Sequence, residues 1–493
     1  MGTIPKAVSR RMCWSRAVLM VALVTAALAW RPPTALQAQS PPPLNPVDMA
    51  MTIPGTFTLV SVGDLIIRRP ASQLDDDDVQ AALRLIAEGD VAVGNMEGSL
   101  ADIFNFEGPL RGFVGTKEVA SDLKAMGFDM VNRANNHLFD SESEGMFSTN
   151  ALLDAAGIVH AGSGRNLDEA AAPAFLEIPK GRVALVGMHA PNGVASGRLA
   201  ATHQDGTLNG RPGLNMLRYS ERIVLTREQL EDLRRIRHEL LEHRTNYDNP
   251  LPGPDTDPSD EVDFFASSSG REDPTYRVAR PGEIPGTIDF TANQDDVTRI
   301  LRSIRNAKQY SDFVIATIHS HQSQSVVERF HLSTRPPDFY VDLAHQAIDA
   351  GADAWVGHGV HTLRGVEIYN GKPIFYGLGE FFRQMNWSLE VQLGMRDANP
   401  TNRTPGGRSQ SLESMVGVSR YEDGRLVEVR LYPIELGYDG PDSRLGIPRI
   451  ARGELAHLIL ERVQRLSREL GTDVAIDGDV GVIRVSEAAT NGG

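Results

Sequence analysis

Five short apolar runs in this chain each end in residues that can bind a metal. In chain order they are Phe57–Val62 before Asp64, Val91–Gly94 before Asn95 and Glu97, Met130–Val131 before Asn136 and His137, Phe313–Ile318 before His319 and His321, and Ala354–Val356 before His358 and His361. Open α/β sheets bind ligands at the carboxyl ends of their strands. One such ending is ordinarily a turn or helix cap, but five on one sheet edge would leave polar groups unsatisfied.

Apolar runs alternate with amphipathic stretches along most of the chain. Three further candidate strands are Ile158–His160, Val183–Gly187 and Pro373–Tyr376, and the helix candidates are Asp76–Glu88, Val119–Met126, Glu144–Ala156, Gln294–Lys308 and Val341–Ala350. This alternation predicts an α/β layered fold with a partly parallel sheet.

One segment interrupts the alternation. Residues 190–290 contain one charged helix candidate, Thr226–His243, followed by a stretch rich in Pro, Gly, Asp and Ser. A loop this long in a compact domain is usually functional or disordered. We interpret it as an insertion in a main domain of residues 56–440, either a lid over the site or a surface excursion. Residues 411–440 are predicted to form antiparallel strands, and 441–493 to add a helix and strand to the same domain.

The N-terminus has the pattern of a signal peptide. Residues 1–38 combine a basic start with the apolar run Ala17–Trp30, which is short for a bilayer span. This predicts a secreted or periplasmic protein, with anchoring by an uncleaved signal as the alternative. Residues 39–55 are rich in proline and predict an extended linker.

The formal net charge of the 493-residue chain is −15. A general nucleic-acid binder needs a basic face that neutralises phosphates, so the charge argues against nucleic acid as a partner. It does not argue against an anionic substrate, because metal ions can supply local positive charge.

The polar endings together suit a site for one or two divalent ions. Carboxylate, carboxamide and imidazole ligands fit Zn, Mn or Fe, and two neighbouring ions need a bridging carboxylate, for which Asp64 and Glu97 are the candidates. The alternative interpretation is a structural polar cluster. His189 and His160 also follow apolar runs, and each is more simply explained as a local structural histidine. Arg68 is a candidate clamp for an anionic substrate, with a surface arginine pair as the alternative.

The ordered motifs resemble the CapA family of bacterial capsule-synthesis proteins. They are Val62-Gly63-Asp64, Gly94-Asn95-Met96-Glu97, Arg133-Ala134-Asn135-Asn136-His137, Ala161-Gly162-Ser163-Gly164, His319 after its strand, Gly357-His358-Gly359-Val360-His361 and Gly377-Leu378-Gly379-Glu380-Phe381. The family is linked to poly-γ-glutamate and is similar to calcineurin-like metallophosphatases. The resemblance implies a four-layer α/β/β/α sandwich with metals at one end of two packed sheets.

The resemblance also implies roles for single residues. Asp64 and His361 would bind the first metal and Glu97 would bridge the two. Asn136, His319 and His358 would bind the second, with His137 as the acid–base group. Asn95, Arg68 and His321 remain candidates for substrate contact, and His321 alternatively for an extra ligand.

Three departures from the family pattern stand out. Ile66 replaces the usual first-metal histidine, which predicts a weaker first site. Gly359-Val360 replaces a His-Pro pair, and Ser320-His321-Gln322 replaces a Gly-x-Glu-like continuation.

These features predict a secreted metal-dependent hydrolase acting on a phosphoester or on an amide of an anionic polymer. Two alternatives use the same site: a noncatalytic factor for polymer assembly or export, which would contact cell-envelope machinery, and a metal-dependent isomerase or lyase.

Overall fold

A computed structural model of the chain describes residues 51–191, 199–242, 260–263, 275–326, 333–385, 410–437 and 444–485. The predicted signal peptide and most of the predicted linker lie outside these ranges. Within them, no helix combines the length and apolarity needed to cross a bilayer.

Many of the shorter strands were not predicted, although each predicted apolar run corresponds, within a few residues, to one of the described strands. The described strands are β1 (Thr56–Ile66), β2 (Val91–Met96), β3 (Ser99–Ala101), β4 (Val114–Thr116), β5 (Met130–Asn132), β6 (Val159–Ala161), β7 (Ser163–Gly164), β8 (Ala174–Ile178), β9 (Gly181–Ala190), β10 (Gly213–Leu214), β11 (Tyr219–Leu225), β12 (Glu261–Asp263), β13 (Thr275–Val278), β14 (Ile288–Ala292), β15 (Phe313–Ser320), β16 (Ala354–His358), β17 (Val366–Tyr369), β18 (Lys372–Phe375), β19 (Glu380–Arg383), β20 (Glu413–Glu422), β21 (Arg425–Glu435), β22 (Arg449–Ile450), β23 (Ala475–Asp477) and β24 (Val480–Arg484).

The described α-helices lie where amphipathic patterns predict them, apart from one short helix. They are α1 (Asp77–Ala87), α2 (Glu118–Ala125), α3 (Glu142–Ala156), α4 (Leu167–Ala171), α5 (Arg227–Glu242), α6 (Gln294–Tyr310), α7 (Asp338–Asp349) and α8 (Gly453–Arg468). Capping explains some of their starts: Asp76 accepts hydrogen bonds from the first turn of α1, and Asn293 does the same for α6.

Two large sheets build the domain. In the first, the strand order is β23-β24-β21-β20-β1-β2-β5-β6, with β19 also pairing with β1. In the second, the order is β17-β18-β16-β15-β9-β8. Strands β1, β2, β5 and β6 run parallel in the first sheet, and β9, β15, β16 and β18 run parallel in the second.

The two sheets pack face to face, and helices cover their outer faces. Adjacent residues of one strand show this: Leu59 belongs to the core between the sheets, whereas Val60 packs with the residues of α1, α2 and α3. In β15, Ile315 faces the same inter-sheet core, and Val314 packs with α6 and α7. Burial on both faces explains why these strands are continuous apolar runs. The predicted four-layer α/β/β/α fold is confirmed.

The segment of residues 190–290 contains more regular structure than its composition suggests. Its described residues include the helix α5, the short strand β10, and the strands β11, β12 and β13 of a small sheet ordered β12-β13-β11-β14; β14 begins at Ile288, at the end of the segment. These strands were not among the predicted ones, because short, polar strands such as Thr275–Val278 lack the apolar pattern on which strand prediction relied. The lid role stays a prediction.

The predicted antiparallel strands of residues 411–440 include a hairpin with a tight turn. Asp423 and Gly424 connect β20 to β21 with positive φ angles of 48° and 75°, as a tight hairpin turn requires. Strand β24 then pairs with β21, and α8 contributes Ile459 and Leu460 to the inter-sheet core.

Candidate metal centre

The predicted ligands gather at the carboxyl ends of the parallel strands. Asp64 lies in β1 at an irregularity of the ladder, where its N–H donates to the carbonyl of Gly379 at 3.1 Å. A Cβ atom on Gly63 would lie 1.7 Å from the same carbonyl oxygen. Glycine at position 63 is therefore what allows the chain before β19 to approach and the Asp64 carboxylate to turn into the site.

Glu97 belongs to two overlapping groups of potential metal ligands. Asp64, Glu97 and His319 form one group, and Glu97, His321 and His361 form the other; within each group the ligand atoms all lie within 4.8 Å of one another. A carboxylate shared by two ligand groups has the position of a bridging ligand.

Several buried polar atoms at this edge have no hydrogen-bond partner among the described residues. They are both carboxylate oxygens of Glu97, the Oδ1 atom of Asn136 and both ring nitrogens of His358. Glu97 and His358 are each only 1% exposed. An unsatisfied buried polar atom is costly. Carboxylate and amide oxygens, and the one unprotonated nitrogen of a neutral imidazole, can each donate a lone pair to a cation, so these residues fit a divalent metal.

The electrostatics of the centre point the same way. Burial raises the pKa of Glu97 well above its usual value, and the neighbouring Asp64 and Glu380 carboxylates raise it further. Burial also lowers the pKa of His358 to about 4, which keeps its imidazole neutral. A cation between these groups would reverse the repulsion among the carboxylates and use the neutral imidazole as a ligand.

His137 lies beside the ligands and is held by its own carboxylate partner. Its Nδ1 atom is 2.7 Å from Asp140 Oδ2, and its Nε2 atom is 3.5 Å from Glu97 Oε1. The ring stacks on Phe113 with ring centroids 4.1 Å apart. Its side chain remains 23% exposed, so it can contact a substrate as well as the centre.

The carboxamides of the Asn-Asn-His run differ in their surroundings. Asn135 is fully buried and donates through Nδ2 to the carbonyl of Met96 at 2.9 Å. Asn136 is half-buried and directs an unpaired oxygen inward. Arg133, also fully buried, donates to the carbonyls of Met96 and Gly98, on both sides of Glu97. Asn135 and Arg133 thus fix the backbone that carries Glu97.

Asn95 lies behind the centre. It is fully buried, and its amide nitrogen donates to Asp64 Oδ1 at 2.7 Å and lies 3.0 Å from His319 Nδ1. Its oxygen accepts from Asn132 Nδ2 at 2.9 Å. This placement favours a role in orienting the ligands over the substrate contact predicted from the sequence.

Arg68 and His321 are both buried, which for Arg68 argues against the surface arginine pair considered as its alternative. The Arg68 guanidinium lies 5.0 Å from the centroid of Phe113, the ring that stacks on His137. His321 is 3% exposed, and its Nε2 atom is 2.8 Å from His319 Nε2. His321 therefore has the position of a ligand, the second of the two roles predicted for it.

The structure explains why glycine occupies position 359, and it shows which residue lies near Ile66. Gly359 has a φ of +95°, and a Cβ atom there would lie 2.8 Å from the His321 ring. A histidine at position 359 would compete with His321 for the same space. Ile66 is fully buried, and the nearby fully buried Glu380 instead pairs in register with Asp64.

Three residues of the centre were not assigned from the sequence. Glu380 Oε1 lies 2.8 Å from His361 Nδ1, and its other oxygen pairs with Arg383. Burial alone would lower the pKa of His361, but the Glu380 carboxylate raises it overall. Asp140 follows His137 by three residues, a spacing that could have indicated it. His189 was interpreted as a local structural histidine.

A buried set of carboxylates and imidazoles at the ends of two packed sheets defines a metallophosphatase-like α/β protein. A family model described as bacterial capsule synthesis protein PGA_cap matches residues 58–385. The chain belongs to this family, as the motifs predicted.

Three relatives illustrate the range of similarity. An uncharacterized protein of Sinorhizobium fredii is 38% identical over 458 residues, covering 87% of this chain and 93% of the relative. The PGA biosynthesis protein CapA of Bacillus subtilis is 39% identical over 85 residues, 17% of this chain and 20% of that relative. A probable polyglutamine synthesis accessory protein of Mycobacterium tuberculosis is 27% identical over 215 residues, 43% of this chain and 49% of that relative.

Proposed function

We propose that the protein is a metal-dependent hydrolase that acts on an anionic substrate of capsule or poly-γ-glutamate metabolism. The observation that carries the proposal is the position of Glu97, a fully buried carboxylate that lacks a hydrogen-bond partner in the described structure and is shared by two groups of ligands. Asp64, Asn136, His319, His358 and His361 would complete the binding of one or two ions of Zn, Mn or Fe, with His321 as an additional ligand.

A divalent metal in this centre would supply Lewis acidity and lower the pKa of water. The protein's own contribution is to hold and move protons beside it. Asp140 fixes the ring of His137 through Nδ1, which leaves Nε2 free to exchange a proton with a substrate or leaving group. Phe113 restricts the same ring from one face.

The substrate class follows from the charge of the centre and from the named relatives. Metal ions attract phosphate or carboxylate groups, and Arg68 contacts Phe113, the ring that also stacks on His137. The relatives named for poly-γ-glutamate synthesis support a γ-glutamyl amide or a phosphoester of a polymer precursor as the bond that is cleaved.

The family and the N-terminal pattern support an envelope location. We place the mature protein outside the cytoplasm, in contact with the polymer and with cell-envelope assembly machinery. Detection of the intact chain, including Met1, in the cytosol would contradict this location.

The central experiment measures metal content and turnover on the same preparations. Protein stripped with a chelator and reloaded with Zn²⁺, Mn²⁺ or Fe²⁺ is tested on phosphoesters and γ-glutamyl peptides. We expect His137→Gln to keep the metal while turnover falls roughly 100- to 10,000-fold, and His358→Ala to lose metal. His345→Gln, a change at a histidine paired with Glu367 away from the centre, is the matched control.

Two results would redirect the proposal. Bound metal with no turnover of either substrate class would favour the noncatalytic assembly factor. A product that retains all atoms of the substrate, or that forms without added water, would favour an isomerase or lyase. If His137→Gln strips the metal as fully as His358→Ala, His137 is a ligand.

A further inference from the structure

Three histidines lie side by side at the ends of neighbouring parallel strands. His189 of β9 is in register with His319 of β15, which is in register with His358 of β16. Residues in register on neighbouring parallel strands project to the same face of the sheet. His189 therefore projects to the face that carries the two predicted ligands, and its ring centroid is 5.4 Å from that of His319.

The hydrogen bond of His189 fixes where its free lone pair is. Its Nδ1 atom lies 2.8 Å from the backbone carbonyl oxygen of His319. A carbonyl oxygen only accepts, so Nδ1 carries the hydrogen and the neutral ring has its lone pair on Nε2. The residue is fully buried, and Nε2 has no hydrogen-bond partner in the part of the chain that the structure describes.

The chemistry of that lone pair selects the kind of partner. A phosphate or carboxylate oxygen would be repelled by it, whereas a cation would be attracted. Metal-binding histidines characteristically donate their other ring N–H to a carbonyl or carboxylate, as His189 does.

We propose that His189 is a further ligand, through Nε2, of the ion bound by His319 and His358. Two imidazoles on one ion, with metal–nitrogen bonds of about 2.0–2.1 Å, have ring centres roughly 5 Å apart, close to the observed separation. The inference rests on the proposed metal-dependent function. It adds a consequence for metal choice, because a third imidazole favours Zn or Fe over Mg, Ca or Mn.

Two isosteric substitutions separate the ligand role from a structural one. In His189→Asn, the amide nitrogen takes the place of Nδ1 and can still donate to the His319 carbonyl, but nothing replaces Nε2. His345→Asn is the matched control at a histidine paired with Glu367. Metal-free proteins are titrated with Zn²⁺ and with Mn²⁺ by calorimetry, and Co²⁺ complexes are compared by visible absorption.

We expect His189→Asn to bind Zn²⁺ about 10- to 100-fold more weakly than the wild type, with an altered Co²⁺ spectrum and an unchanged melting temperature without metal. The preference for Zn²⁺ over Mn²⁺ should also narrow. Wild-type Zn²⁺ affinity and a wild-type Co²⁺ spectrum in His189→Asn would overturn the proposal. Should this variant not fold, ¹⁵N-histidine NMR of the wild type decides: Zn²⁺ must shift the Nε2 resonance of His189 while Nδ1 stays protonated, and no shift overturns it.

Metal binding by the wild type and by His358→Ala separates a failure of the proposed function from a failure of the His189 assignment. If the wild type binds no metal at all, the proposed function fails. If the wild type binds metal and His358→Ala does not, while His189→Asn is unchanged, only the assignment of His189 fails.

Discussion

The buried polar groups at the two ends of strand β16 differ in whether they have hydrogen-bond partners. At its start, the buried carboxylate of Asp353 accepts from Lys308 Nζ at 2.9 Å, Lys372 Nζ at 2.7 Å and the backbone N–H of Val314 at 3.0 Å. At its end, His358 has no hydrogen-bond partner for either ring nitrogen among the described residues. The polar group at the first end has partners within the chain, whereas the one at the second end has the partner it lacks only if the proposed cation is bound.

The pKa directions express the same difference. Burial alone would raise the pKa of Asp353, but Lys372 and Lys308 hold it below the usual value. For Glu97, burial and the neighbouring carboxylates all raise the pKa. Of these two buried carboxylates, the charged form of Asp353 is therefore stabilised by its surroundings, whereas that of Glu97, which follows β2 and belongs to the metal centre, is destabilised. Four predictions test that contrast.

The largest effect is expected at the paired end. Asp353→Asn leaves two lysine side chains without their buried counter-charge, so the free energy of unfolding should fall by about 3–5 kcal/mol. Urea denaturation measures it. Asp168→Asn, a similar change in an exposed pair with His203, should alter it by less than about 0.5 kcal/mol. Equal losses of unfolding free energy in the two variants would mean that the buried ion pairs of Asp353 stabilise the protein no more than an exposed pair does.

Neutralising the buried carboxylate of the metal centre should change the free energy of unfolding in the opposite direction. Glu97→Gln removes the cost of ionising a buried carboxylate, so in metal-free protein at pH 8 the free energy of unfolding should rise by roughly 2 kcal/mol. Metal binding should be lost at the same time, as calorimetry would record. A metal-free Glu97→Gln protein less stable than the wild type would contradict the interpretation of Glu97.

The pH dependence should follow from the same carboxylate. In the unfolded chain Glu97 titrates near 4.5, and its pKa in the folded, metal-free protein is raised. Between these pKa values the folded state binds more protons, so this group's contribution to stability falls as pH rises, by at most about 1.4 kcal/mol per pH unit. The lowered pKa of Asp353 gives stability that is lost only in acid, as pH falls below 3.8. Thermal melts of the wild type and Glu97→Gln across pH 4–9 isolate the contribution of Glu97, because the loss from Asp353 falls below this range. Identical pH profiles of the two proteins would argue against a raised pKa of Glu97.

The smallest effect concerns the residues that orient the ligands indirectly. Asn132 donates to Asn95, which in turn contacts Asp64 and His319. Asn132→Ala should weaken metal binding about 3- to 10-fold and lower stability by about 1 kcal/mol. Asn105→Ala, at an exposed asparagine that donates to Asp102, should change neither. A loss of metal as complete as in His358→Ala would place Asn132 among the ligands.

Apolar runs made most of the fold predictable. Strands buried on both faces, such as β9 and β15, are recognisable because each contains a nearly continuous apolar run, Val183–Met188 in β9 and Phe313–Ile318 in β15, before its polar end. The polar residues that end such runs were therefore predicted to meet at one sheet edge; they include Asp64, Glu97, His319, His358 and His361. The strands within the insertion were not predicted, because several are short and polar and one pair, β11 with β13, joins segments that are distant in sequence.

The remaining features of the centre depend on register, which a single sequence does not encode locally. His189 and His160 both follow apolar strands, yet only the pairing of β9 with β15 aligns His189 with His319. Glu380 reaches the centre because β19 pairs with β1, and Asp64 and Glu380 are far apart in the chain. Asn95 and Asn136 both follow an apolar run. Only their burial and contacts show that the Asn95 amide holds ligands in place, whereas the Asn136 oxygen has no hydrogen-bond partner among the described residues.

The pairing of β1 has a consequence for the order of folding. This strand carries Asp64, and its neighbours are β2, β19 and β20, the last ending at Glu422. Contacts this distant in sequence form slowly and late, after most of the chain has been synthesised. The candidate metal centre is therefore incomplete while the chain is still emerging. If the centre binds a metal as proposed, that ion is drawn from the compartment in which the last strands dock. The route of the chain through the cell, as well as the chemistry of the ligands, then decides which metal is incorporated.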